Sequence, residues 1–329
     1  MTSKFQALVL SQQDGVTQSA VQELSLADLP EHDTLVEVAY SSLNYKDAMA
    51  LTGTGKIVRQ FPMVAGIDLV GTVLECSTGQ WQKGDSVILT GWGVGERYWG
   101  GYSQVQKVKA QWLTALPEGM TAQQAMTIGT AGLTAMLSVM AIEEAGIYSG
   151  KVIVSGASGG VGSMAVALLA QLGYEVSALS SRPEKNQEYL LQLGATEVLG
   201  LDEWKTKPSP LAGQRWVAAV DVAGGPILAQ ILSEMNYLGV VAASGLAAST
   251  ALDTTVLPFI LRGVRLQGID SVMCPSEKRS EAWQRLLSDC PSAAYAQVQR
   301  VVGLKDLAQL ATEMMAGQAH GRIVVDLKA

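Results

Sequence analysis

Along the first 120 residues, apolar and polar positions alternate over short runs such as TLVEVAYSSL, GTVLECS and DSVILTGW, separated by Gly and Pro. A period of two is that of a half-buried strand, so this region reads as all-β with few helices. The pattern changes near residue 122. TAQQAMTIGTAGLTAMLSVMAIEEAGI has helical spacing, with Thr121 at its N-cap and Gly146 past its end, and predicts one long helix introducing a second domain. Strand and helix patterns then alternate through KVIVSGA, SMAVALLAQLG, YEVSALSS, PEKNQEYLLQLGA, TEVLGL, WVAAVDVAG, ILAQILSEMNYLG, VVAASG and RLQGIDS. About six strands with helices between them imply right-handed βαβ units around a parallel sheet. KTKPSP, 205 to 210, reads as a surface turn within this series. The tail holds two helical patterns, SEKRSEAWQRLLSDC and LKDLAQLATEMMAG, and a last strand, GRIVVDLK. It is too short to stand alone and is expected to pack back on the N-terminal β region.

With 329 residues, 48% of them hydrophobic and 16% charged, the chain suits a globular α/β protein of two domains. Its net charge of −7 argues against a nucleic-acid groove or an acidic membrane surface as partner. The apolar run in MTSKFQALVLSQQDG is too short for a signal peptide. The weakly polar stretch from residue 240 is broken by Asp253 and Pro258, so no membrane span and a cytoplasmic location are expected. Cys76, Cys274 and Cys290 are isolated and suit reduced thiols, and two histidines without a CxxC or HxxxH pair give no metal site.

The candidate chemistry centres on KVIVSGASGGVGSMAVALLAQLG, an apolar strand, then Gly156, Gly159, Gly160 and Gly162, then an amphipathic helix. Glycines let backbone N–H groups approach a pyrophosphate, and a helix start adds its positive dipole end. Gly156 to Gly162 spans one residue more than a strict GxGxxG, which shares the phosphate contact among Ser158, Gly159, Gly160 and Val161. About 20 residues on, NAD-binding proteins place a carboxylate on the ribose 2′-hydroxyl. Here the strand ends at Leu179 and is followed by Ser180, Ser181 and Arg182, with Lys185 nearby. Hydroxyl donors and a guanidinium suit a 2′-phosphate, so the cofactor expected is NADPH.

SSLNYKDAMALTGTGKI, FPMVAGIDLVGTV, LTGWGVGERYWGGYSQ, IGTAGLTAMLSVMAIE and PFILRGVRLQGIDSVM together resemble the medium-chain dehydrogenase/reductase superfamily. Within its zinc-free quinone oxidoreductase branch they look like the YhdH/AcuI-type acrylyl-CoA reductases, over the whole chain. The resemblance implies a GroES-like β domain from 1–124 and 272–329 and a Rossmann NADP-binding domain at 125–271. It also implies reduction of the C=C bond of acrylyl-CoA by NADPH, and a homodimer. In zinc-dependent relatives a His-Glu pair stands where this chain has Ile67 and Asp68.

Hydride transfer to Cβ of an enoyl thioester creates enolate-like charge, which a site without metal must meet with hydrogen-bond donors and placement. The family motif puts Asn44, Tyr45 and Lys46 toward the cofactor. Tyr45 either donates the proton or lines the pocket while water does so. Asp47 is expected to pair with Lys46 and order the loop. The same pattern carries Thr130, Ala223, Ser244, Gly245, Leu246 and Ser271 to the nicotinamide, and Gln318 and Arg322 to the cleft from the returning tail. His320 reads as an exposed turn residue. Trp92, Tyr98 and Trp99 suggest an aromatic wall or loop packing, and Lys56, Arg59 and Arg97 are candidate contacts for CoA phosphates. Two other readings stay open: a general quinone or enone reductase, and a non-enzymatic NADPH-binding sensor.

Overall fold

The computed structural model describes residues 4–204 and 209–329, so residues 205–208 of the expected KTKPSP turn lie outside the described residues. β1 (Lys4–Gln13) and β2 (Val16–Ser25) form a hairpin whose turn residues, Asp14 and Gly15, both have positive φ, as a tight two-residue hairpin turn requires. β3 (Thr34–Leu43) leads into α1 (Tyr45–Thr52), a helix within the stretch read as β. β4 (Met63–Val64), β5 (Asp68–Cys76), β6 (Ser86–Thr90), β7 (Val105–Val108) and β8 (Thr114–Ala115) complete the N-terminal strands.

α2 (Ala122–Glu144) starts where expected: the Gln124 N–H donates to Thr121 Oγ1 at 3.1 Å and the Thr121 N–H to Gln124 Oε1 at 2.9 Å. It ends as expected too, the Gly146 N–H donating to the Glu143 carbonyl at φ +81°. The single unbroken helix is corrected, because Gly129 at φ +50°, ψ −159° kinks it. By length and composition α2 could cross a membrane, but 94% of its apolar window is buried inside the protein.

The series continues with β9 (Lys151–Val154), α3 (Gly160–Gln171), β10 (Glu175–Leu179), α4 (Pro183–Gln192), β11 (Glu197–Leu199) and β12 (Trp216–Asp221). After these come α5 (Gly225–Glu234), β13 (Met235–Ala243), α6 (Leu257–Arg262) and β14 (Arg265–Gly268). The six strands pair in parallel in the order β11-β10-β9-β12-β13-β14, so the order reverses at β9 and β12, where such sheets open a crevice for ligands. The helix expected to run through MNYLG stops at Glu234. Met235 begins β13 directly, because the sheet pairs it with Trp216.

α7 (Ser276–Asp289), α8 (Ser292–Val298), β15 (Gln299–Val302), α9 (Leu307–Met315) and β16 (Arg322–Asp326) form the tail. The return to the β region occurs through β16, which pairs antiparallel with β3 in the sheet β15-β16-β3-β5-β6-β8. Its inner face contributes Leu43, Leu69, Leu89, Ile323 and Val325 to a core that also takes in Leu307 and Leu310 of α9. Two compact units result. One reaches to Thr130 and adds Ser271–Leu287 and Val298–Ala329; the other is Ala131–Asp270 with Ser288–Gln297.

Candidate functional site

In the parallel-sheet unit, the turn after β9 and the start of α3 leave no room for a side chain at Gly156 and Gly162. Gly156 has φ +57°, and a Cβ on it would lie 2.5 Å from a Val222 methyl. A Cβ on Gly162 would overlap the Gly156 carbonyl oxygen. The Gly159 N–H is committed within the turn, donating to that carbonyl at 3.0 Å. Ser158 and the opening residues of α3, Gly160 and Val161, are therefore the donors best placed to receive an anion at the helix's positive end.

β10 ends at Leu179, and the Ser180 N–H donates to the Leu199 carbonyl at 2.9 Å. Ser180 is buried, and its Oγ accepts from the Arg182 N–H at 3.2 Å and from Asn186 Nδ2 at 3.0 Å. The Ser180 oxygen thus shapes the turn, leaving Ser181, Arg182 and Lys185 as its outward donors. Ser181 and Lys185 are exposed, and Arg182 is half-buried at the N-cap of α4, a second helix start that favours negative charge.

Asp221 is buried at the end of β12, and its only signal in the sequence is a lone carboxylate closing the apolar run WVAAVD. Ser155 Oγ donates to its Oδ1 at 2.6 Å and the Gly224 N–H to its Oδ2 at 2.9 Å. Burial pushes its carboxyl up, against the lowering effect of the Ser155, Gly224 and Ala223 donors. Ala223 is buried in this knot, its N–H donating to Ser155 Oγ at 3.3 Å. The Ser244 N–H donates to the Asp221 carbonyl at 2.9 Å, Gly245 is half-buried, and Leu246 is exposed.

In the other unit a buried polar knot joins α1, β3, β5, the α2 kink and β16. The Ile323–Leu43 pairing sets Arg322 across from Asn44, and Arg322 Nη1 donates to Asn44 Oδ1 at 3.0 Å while Nε donates to the Thr127 carbonyl at 2.8 Å. Asn44 Nδ2 then faces two carboxylates, Asp68 Oδ2 at 2.8 Å and Asp47 Oδ2 at 3.2 Å. Asp68 also accepts from Ser42 Oγ, from the Thr130 N–H at 2.9 Å and from Thr130 Oγ1. The Gly129 kink frees that Thr130 N–H from the helix. A Cβ on Gly129 would lie 2.6 Å from both Asp68 Oδ2 and Arg322 Nη2, so this residue must be glycine for the knot to close.

Asp47 caps α1 by accepting the Asn44 N–H at 2.9 Å and holds β5 through the Ile67 N–H at 2.9 Å. The expected pair with Lys46 does not form: Lys46, half-buried, reaches Glu96 at 2.8 Å, while Asp47 turns into the core. Burial first, then the Asp68 charge, push Asp47 up to about 7. The same causes, burial and then the Asp47 and Asp68 charges, hold Tyr102 well above its ordinary value. Because the folded protein keeps the Asp47 proton to higher pH than the unfolded chain does, stability is expected to fall as pH rises from about 4 toward 7. Unfolding in urea at pH 5.5 and 8 should show a loss of about 1 kcal/mol or more that Asp47→Asn reduces; an unchanged loss in the variant would clear Asp47 of that role.

Tyr45 begins α1 and is 47% exposed, with no hydrogen bond from its hydroxyl among the described residues. The aromatic residues do not form one wall. Tyr98 packs with His32 and Trp112, Trp99 Nε1 donates to the Pro62 carbonyl, and Trp92 lies against Arg279 at 5.2 Å. Arg279 is a buried residue that its helical pattern gave no reason to single out. Its Nη1 donates to the Thr90 carbonyl and hydroxyl, both at 2.8 Å, and Nη2 to the carbonyls of Ser271, Val272 and Cys274. Ser271 is thereby fixed and buried. Gln318 and His320 are exposed beyond α9.

Residues 30–118 match the model of the alcohol dehydrogenase GroES-like domain, and residues 160–288 that of the zinc-binding dehydrogenases. The chain is 52% identical to the probable acrylyl-CoA reductase AcuI of Escherichia coli, over 98% of this chain and 99% of that protein. It belongs to the medium-chain dehydrogenase/reductase superfamily. Another member, the acrylyl-CoA reductase AcuI of Ruegeria pomeroyi, is 49% identical over 99% of this chain and all of its own. A solved superfamily structure, the yhdH oxidoreductase of Salmonella enterica in complex with NADP, superposes with a TM-score of 0.96 at 53% identity, covering 98% of this chain and 99% of that one. The Ile67–Asp68 pair keeps a carboxylate where zinc-dependent members of the superfamily carry Glu, and Asp68 accepts from Ser42, Asn44 and Thr130.

Proposed function

We propose that this protein reduces the C=C bond of acrylyl-CoA to give propionyl-CoA, with NADPH as reductant and without a metal. Full-length identity of about half to two acrylyl-CoA reductases carries the reading. NADPH, when bound, supplies a hydride to Cβ of the thioester. The residues present suit it: Gly156 and Gly162 let the turn close tightly under the start of α3, where Ser158, Gly160 and Val161 are the residues assigned to the pyrophosphate, and Ser181 and Arg182 those assigned to the 2′-phosphate. Within the parallel-sheet unit, Ala223, Ser244, Gly245 and Leu246 at the ends of β12 and β13 are assigned to the nicotinamide side, whereas Arg322, buried and bonded to Asn44 and Thr127, is assigned to holding the knot.

Tyr45, exposed and unengaged, is the group assigned to hand a proton to Cα, directly or through water. Asn44 acts through position, since its amide is taken up by Asp47, Asp68 and Arg322. Lys46, paired with Glu96, orders the loop beside Tyr45. Developing charge on the thioester oxygen calls for hydrogen-bond donors aimed at it, and the alignment of donor and acceptor supplies the remaining acceleration.

Steady-state assays comparing NADPH with NADH, and acrylyl-CoA with quinones, test the reading. Turnover of acrylyl-CoA with NADPH preferred is expected, and negligible acrylyl-CoA turnover would overturn it. The reading includes a cytoplasmic homodimer joined along β14, whose surroundings expose Tyr237, Leu238, Ile260, Leu261 and Leu266. A monomeric mass in light scattering would remove the dimer.

A further inference from the structure

We propose that Lys56, Arg59 and Arg97 form a subsite for the phosphates of a nucleotide-bearing thioester, the pyrophosphate and 3′-phosphate of CoA. The inference rests on the acyl-CoA reading above. All three side chains are exposed and make no ion pair or hydrogen bond among the described residues. Surface cations of an acidic protein usually have carboxylates for neighbours, yet here the chain carries a net charge of −7 and the segment 53–62 has no acid at all. The carboxylate next to Arg97 in sequence, Glu96, is already paired with Lys46 at 2.8 Å.

The loops that bear these cations are pinned. Arg59 donates its backbone N–H to the Glu96 carbonyl at 2.9 Å, which ties the segment after α1 to the turn carrying Arg97. Ile57 and Val58, between Lys56 and Arg59, pack against the β-region core, as does Phe61. The Arg97 turn closes on itself through Arg97 N–H to the Gly93 carbonyl and Gly95 N–H to the Tyr98 carbonyl, both at 2.8 Å. Tyr98 is in turn anchored on Trp112. With the backbone beneath them already ordered, these three cations meet an anion at the cost of side-chain entropy alone. NADPH has its own phosphate groups met elsewhere, at α3 and Arg182, so this charge is left for a second phosphorylated ligand. Through Lys46 the patch adjoins α1, the helix that begins with Tyr45.

The experiment compares acrylyl-CoA with acrylyl-pantetheine, which has the same reacting thioester and no phosphate, in the wild-type chain and in a Lys56→Gln, Arg59→Gln, Arg97→Gln triple variant. The KM for acrylyl-CoA is expected to rise about tenfold or more in the variant, while that for acrylyl-pantetheine moves less than about twofold. In the wild type, raising the salt should raise the KM for acrylyl-CoA selectively, a measurement that stands even if the variant misfolds. Equal effects on both thioesters, or none on acrylyl-CoA, would overturn the subsite and leave the reductase reading intact. Should neither thioester be reduced, the functional reading falls; calorimetric binding of free CoA, against pantetheine, to both proteins then decides the subsite alone. Weaker CoA binding in the variant supports it, and equal binding overturns it.

Discussion

Replacing Arg182 with Ala is expected to raise the KM for NADPH about ten- to a hundredfold while leaving that for NADH within about twofold. A charge-assisted hydrogen bond to phosphate contributes about 1.5–3 kcal/mol, which is the origin of that range. The hydrogen bond that Arg182 gives to Ser180 Oγ comes from its backbone N–H, at 3.2 Å, and Ala retains it. Asn186 Nδ2 holds the same oxygen at 3.0 Å. A loss confined to NADPH therefore reports the 2′-phosphate. Equal rises for both cofactors would assign Arg182 to loop structure, and Arg182→Lys, which keeps charge but not the planar fork, should fall between wild type and Ala.

Gly129→Ala is expected to destabilise the fold by about 2–4 kcal/mol, more than any surface substitution. Two costs combine. The residue sits at φ +50°, ψ −159°, which side chains rarely adopt, and its Cβ would stand 2.6 Å from Asp68 Oδ2 and Arg322 Nη2 and 2.8 Å from Ser42 Oγ. Separating those buried polar groups leaves charges short of partners. Gly119→Ala isolates the first cost, since Gly119 also has positive φ, +91°, but nothing within 4 Å of a Cβ; about 1 kcal/mol is expected there. Urea unfolding of both variants measures the difference. Similar losses at the two positions would show that conformation alone, and not the knot, requires glycine at 129.

Much of the fold was legible because its signals are local. The alternation of YEVSALSS ends the strand at Leu179, and Thr121 and Gly146 bound α2, as the structure has them. Each depends on neighbours within a few residues: side-chain period, a cap, a positive φ. The misses are places where a distant partner overrode that pattern. Apolar helical spacing runs through IGTAGLTA, but the carboxylate of Asp68 takes the Thr130 N–H and the helix kinks. MNYLG continues a helical pattern, yet strand pairing to Trp216 claims it from Met235. Lys46 and Asp47 are adjacent and opposite in charge, but successive helix residues face different ways, so one meets Glu96 and the other the core.

By itself, then, the sequence determined two domains of different texture, a parallel sheet of six strands, a glycine turn opening a helix, and a guanidinium where NAD-binding chains carry an acid. Those follow from periodicity and turn chemistry, which act over a few residues. Only the tertiary structure decided that Asn44 and Arg322, 278 positions apart, share a hydrogen bond, and that Asp47, Asp68 and Thr130 gather around them. It also decided that Arg279 is a buried clamp on the Ser271 turn. A polar side chain is held inside only when its donors or acceptors are met, and sheet pairing, not position along the chain, brings those partners within reach.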